Sequence, residues 1–96
     1  MIEVRKTDEY AKWFLGLRDM RAKARITVRI RRLSLGNAGD VKPVGGGVSE
    51  LRIDVGQGYR VYFVNCGECL VVLLAGGNKS TQQRDIEKAK KLAIDV

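Results

Sequence analysis

The chain has 96 residues, enough for one domain around one modest core. Its formal charge is +7, from 18 lysines and arginines against 11 acids, and it has no histidine. That absence excludes histidine-based acid–base chemistry, the Ser-His-Asp and Cys-His mechanisms and histidine-ligated metals. No apolar run approaches the ~20 residues that span a bilayer. The start, Met1-Ile2-Glu3-Val4-Arg5-Lys6, lacks the apolar stretch of a secretory signal, so a cytoplasmic domain without membrane attachment is expected.

Ile2 and Val4 alternate with Glu3 and Arg5, which predicts a short strand. Thr7 or Asp8 can cap the helix that follows, whose Tyr10, Trp13, Phe14 and Leu17 fall on one face and read as core. Asp19 can cap a second helix running to about Leu33, with Ala22, Ile26, Ile30 and Leu33 as its buried stripe. Gly36 to Asp40 is a loop, and Lys42 to Gly47 is extended or bulged. Val48 to Val55 is a strand with Leu51, Ile53 and Val55 on one face and Glu50, Arg52 and Asp54 on the other. Gly56-Gln57-Gly58 turns into a strand from Tyr59 to Asn65. Cys66-Gly67-Glu68-Cys69 turns again into Leu70 to Ala75, apolar enough to be covered on both faces. Ser80 with Gln83 is a capping-box pattern that opens a last helix. The order β-α-α-β-β-β-α predicts an α+β fold, a helical hairpin packed on a small antiparallel sheet, in a single domain over residues 1–96.

Between Arg18 and Arg32 seven basic residues face one acid, Asp19, a density that suits a polyanionic partner. Arg18, Arg21, Arg25 and Arg29 follow helical steps of three and four and are candidate contacts to it. The single C-x-x-C supplies two thiolates, whereas a structural zinc site takes four ligands, so hairpin-turn residues are expected and no metal. Gly77-Asn78-Lys79-Ser80-Thr81 imitates the end of a P-loop but lacks the glycine before the lysine, so nucleotide hydrolysis is not expected.

Three runs carry a family resemblance: Gly36-Asn37-Ala38-Gly39-Asp40-Val41-Lys42; Gly47 to Ile53 followed by Gly58-Tyr59-Arg60-Val61-Tyr62-Phe63; and Leu74-Ala75-Gly76-Gly77-Asn78-Lys79-Ser80-Thr81-Gln82. In order and over nearly the whole chain, they resemble the RelE/ParE toxin superfamily, in particular its HigB-like "addiction module killer" branch. The resemblance implies the toxin of a type II toxin–antitoxin system. It also implies a cofactor-free, ribosome-dependent messenger-RNA endonuclease silenced by a cognate antitoxin, the latter expected from an adjacent helix-turn-helix gene. The same superfamily contains non-enzymatic gyrase inhibitors, and a degenerate, non-toxic relative is a third reading.

Metal-free RNA cleavage needs cations at the phosphate and a base and acid for the proton transfers. The resemblance places Arg52, Arg60 and Lys79 as phosphate binders and Glu50 as a possible base. Lys42, Tyr59 and Gln82 join Arg18, Arg21, Arg25 and Arg29 as expected RNA contacts. Arg60 is expected on a polar edge where truncation leaves stability unchanged. Gly76 and Gly77 are expected to let backbone approach a phosphate. The nucleases of the family often carry a tyrosine or histidine just after the last strand. This chain has neither between Asn78 and Gln82.

Overall fold

The structure, a computed structural model, describes residues 1–96. Strand β1 (Glu3–Lys6) leads into helices α1 (Asp8–Gly16) and α2 (Met20–Ser34). Strands β2 (Val41–Gly45), β3 (Val48–Ile53), β4 (Tyr59–Asn65) and β5 (Leu70–Asn78) follow, then a single 3-10 turn (Lys79–Thr81) and helix α3 (Gln82–Ile94). The caps follow from short polar side chains meeting free backbone N–H groups. The Thr7 hydroxyl accepts from the Tyr10 N–H, and the Asp19 carboxylate from those of Arg21 and Ala22.

The strands form one sheet in the order β1-β5-β4-β3-β2. From β2 to β5 all pairings are antiparallel, while β1 lies parallel to β5 at the far edge. The expected α+β architecture is therefore present, with one strand more than the sequence predicts. Val41–Gly45, in a stretch expected to be extended or bulged but not counted as a strand, pairs with β3. Pro43 is tolerated there because an edge strand can turn a missing donor outward, and the register slips between Pro43 and Gly45.

The helical hairpin covers one face of the sheet. Tyr10, Ala22, Ile26 and Leu33 meet Leu51, Ile53, Val61, Phe63, Val71 and Leu73 there. Helix α3 covers the other face, where Ala89 meets Val48, Tyr62, Val72 and Leu74. Strand β5 is thus apolar on both sides, as its composition predicts. The last helix is entered through Asn78, not Ser80. The Asn78 side chain accepts from the Ser80 N–H, and Thr81 Oγ1 accepts from the Asn78 N–H, so the capping box lies two residues earlier than expected.

Gly76 and Gly77 are the thin point between the layers. A Cβ on Gly76 would collide with the Trp13 ring, and one on Gly77 would meet the Asp85 carboxylate. The two glycines make room for side chains of the chain itself, one from each flanking helix, rather than for a phosphate. No helix is long and apolar enough to cross a membrane.

Candidate phosphate-binding cleft

Alternation along β3 sends Glu50 and Arg52 to the face opposite Leu51 and Ile53, and the β3–β4 register sets Arg52 directly across from Arg60. The turn at Gly56-Gln57-Gly58, with φ of +54° and +75° at its glycines, brings β4 back at that register. Asn78 ends β5 opposite Tyr59, which places Lys79 at the same end of the sheet. The three cations expected at a phosphate therefore share one cleft of about 220 Å³, together with Asp40, Asp54 and Gly58.

Their surroundings differ. Arg52 is half-exposed and paired with Asp40, its Nε and Nη2 both donating to Oδ1 at 3.2 and 3.0 Å. Lys79 is exposed and makes no ion pair. Arg60 is largely buried, its side chain 12% exposed, with Nε 3.4 Å from the Glu50 carboxylate and Nη1 donating to the Gly58 carbonyl at 3.3 Å. It does not stand on an open polar edge, and truncating it would strand a buried carboxylate.

Glu50 has no exposed surface at all. Its Oε2 accepts from Tyr62 Oη at 3.2 Å and from Gln82 Nε2 at 2.8 Å and faces Arg60. A carboxylate sealed in this way has no path to a substrate hydroxyl, so the geometry makes it the counter-ion that orients Arg60 rather than a base. Burial, and then the nearby Glu50 carboxylate, push the Tyr62 phenol well above its ordinary pKa, so it remains a donor to Glu50.

The expected RNA contacts separate into three groups. Arg18, Arg21, Arg25 and Lys42 are exposed, the arginines on the helical-hairpin layer and Lys42 on edge strand β2. Gln82 turns inward to Glu50. Tyr59 is buried in the core under the hairpin, on the face away from Arg52 and Arg60, so its ring is not placed to stack on a base. Arg29 also turns inward. Its guanidinium donates to the carbonyls of Arg52 at 2.6 Å and Ala38 at 3.1 Å and reaches that of Asp40 at 3.4 Å. Burial lowers its pKa from the ordinary value, an effect Asp40 partly offsets.

A slightly larger hollow of about 250 Å³ lies between α1 and α3, but its Glu9, Arg84, Asp85 and Lys88 are of both signs and Lys88 pairs with Glu9. The smaller cleft carries three cations against two acids and is the better anion site. No group of three potential metal ligands is gathered anywhere in the chain, and both cysteines are free thiols at the β4–β5 turn.

Residues 12–95 match the family described as phage-derived protein Gp49-like (DUF891). The chain belongs to the Gp49-like family. This is a RelE-like toxin family of toxin–antitoxin systems. An uncharacterised protein of Haemophilus influenzae is 53% identical over 95 residues, covering 99% of this chain and 96% of that one. No solved structure matches the chain.

Sequence reasoning on this Gp49-like chain missed Asp40 and the inward turn of Arg29. The signal for Asp40 was its place one residue after a loop glycine and two before Lys42. Its partner Arg52, twelve residues on, was visible only once β2 was paired with β3. Asp85 was missed as well. It is 5% exposed and held by the Thr81 hydroxyl, and only its i, i+4 spacing from Thr81 hinted at that contact.

Proposed function

We infer that this Gp49-like toxin is a ribosome-dependent messenger-RNA endonuclease of the HigB-like branch, acting in the cytoplasm and held silent by a cognate antitoxin. The supporting observation is the convergence of Arg52, Arg60 and Lys79 on one cleft. In cleavage by the adjacent 2′-hydroxyl, negative charge builds on the phosphoryl oxygens, and preorganised cations stabilise it where it develops. Arg60, fixed by Glu50, is the preorganised member, while Arg52 and Lys79 close on the phosphate from the exposed side. The exposed Arg18, Arg21, Arg25 and Lys42 add sequence-independent attraction to RNA. The ribosome positions the message for the proton transfers, since the cleft offers no accessible tyrosine or histidine.

The test is a primer-extension readout of messages in a translating extract. Wild type should cut, and Arg52→Ala, a half-exposed residue whose pairing with Asp40 is worth at most about 1 kcal/mol of stability, should lower the cleavage rate by roughly 100-fold. One observation favours a gyrase-directed inhibitor instead: Leu15 and Met20, 76% and 72% exposed, flank the α1–α2 connection beside Arg18 and Arg21, a mixed surface that suits a protein partner. Growth arrest without cut messages, with gyrase-trapped DNA breaks, would establish that reading.

A further inference from the structure

The cleft contains an anion of its own. Asp40 Oδ1 takes both Nε and Nη2 of Arg52, the guanidinium edge that would otherwise receive a phosphate through two parallel hydrogen bonds. The carboxylate is not there by chance rotation of a free side chain. Its own backbone carbonyl accepts the Arg52 N–H at 3.0 Å, so the two residues are tied through the main chain as well. The loop that carries it is gripped by Arg29, whose guanidinium spans the carbonyls of Ala38, Asp40 and Arg52. Gly39 permits that grip: its φ is +76°, and a Cβ there would lie 3.1 Å from Arg29 Nη2. Asp54, the other acid of the cleft, makes no ion pair, so the arrangement is specific to Asp40.

We propose that Asp40 is a built-in competitor for RNA phosphate at Arg52, and that Arg29 is the positioning residue that holds it there. The cleft is then masked against free phosphate and short RNA. Only a message presented along several other contacts displaces the carboxylate and recruits Arg52. This deepens the nuclease reading and rests on it for the identity of the ligand, though the competition itself needs only that the cleft bind a phosphodiester.

The full chain is titrated with a fluorescein-labelled hexanucleotide of 2′-O-methyl RNA, which cannot be cleaved, and anisotropy is read at several salt concentrations. Asp40→Asn should tighten binding about fivefold, the scale of an exposed ion pair. Its salt dependence should steepen by about 0.7 in log–log slope, one more phosphate contact on a single strand. Asp54→Asn makes the same change in net charge and should tighten binding less than twofold. Equal tightening by the two variants reduces the effect to general electrostatics and overturns the proposal, as does unchanged affinity of Asp40→Asn or absence of binding by every form. Arg29→Lys keeps the charge but loses the three-carbonyl grip, and should tighten binding at least twofold. An affinity unchanged or lowered in a variant that still melts cooperatively overturns the positioning role. Message cleavage is scored separately. Selective tightening by Asp40→Asn without any cleavage sinks the nuclease reading and leaves the competition standing.

Discussion

Under the helical hairpin the sheet buries eleven side chains that are apolar or aromatic, centred on Tyr10, Ile26, Leu51 and Leu73. Under α3 it buries five, and adds Glu50 and Asp85 as buried carboxylates. The first face is held by area removed from water. The second is held partly by a polar network whose members are worth most when all are present. The two faces therefore fail differently: a truncation on the hairpin side leaves a hole, while one on the α3 side leaves a charge.

Arg60→Ala tests that difference most severely. Removing the partner of a fully buried carboxylate should lower stability by about 3–5 kcal/mol, read as a shift in the urea midpoint. A Glu50→Met, Arg60→Met double variant, with neither charge, should regain most of that stability while losing message cleavage. If Arg60→Ala unfolds like wild type, Glu50 has another counter-ion and the network is misassigned.

On the opposite face, Ile26→Ala should cost about 2–5 kcal/mol, the transfer and cavity loss for a fully buried aliphatic side chain. Below its melting temperature the variant should still bind the hexanucleotide with wild-type affinity, because Arg52 and Arg60 point to the face of the sheet opposite Ile26. An affinity that falls with stability would mean the two faces are coupled rather than separate.

The smallest effect is in alkali. Burial raises the phenols of Tyr10 and Tyr62 above the ordinary value, one on each face. A raised folded-state pKa means that the protonated phenol is favoured by folding. Their contribution is therefore complete below about pH 10, the unfolded value, and is lost as pH rises beyond it. The urea midpoint should fall from about pH 10 upward, as the phenols of the unfolded chain ionise. Tyr62→Phe should flatten the part of that fall due to the α3 face, and Tyr10→Phe the part due to the hairpin face. A profile unmoved by Tyr62→Phe would show that the phenol near Glu50 is not held protonated by the fold.

The hairpin face was legible in the sequence because area-driven packing leaves periodic traces: the 3.6-residue stripes of the two helices and the alternation of Leu51, Ile53 and Val55. The α3 face was less so. That Glu50 and Arg52 share a face follows from strand alternation, but burial depth does not. Glu50 lies beneath α3 while Arg52, one pleat further along, reaches the open end, and only the position of α3 decides between them. The fate of Tyr59 turned on the same issue. It alternates with Arg60 and so had to point to the other face. Strand β2 was obscured by Pro43 and three successive glycines, residues that weaken any strand signal yet are tolerated at an edge and a bulge.

The parallel edge has a consequence for how the protein comes into being. Strand β1 is synthesised well before the strand it pairs with, Leu70–Leu73, and the Thr7 hydroxyl that closes the junction donates to the carbonyl of Leu74. Contacts of such long sequence separation form late and slow the search for the native state. On a translating ribosome the first strand must therefore stay unpaired until most of the chain has emerged. The sheet closes only after that, and α3, whose Gln82 binds the Glu50 that faces Arg60, comes later still. A nascent chain thus carries its cations long before it holds them in order, which leaves an interval in which a partner can meet it before the cleft is assembled.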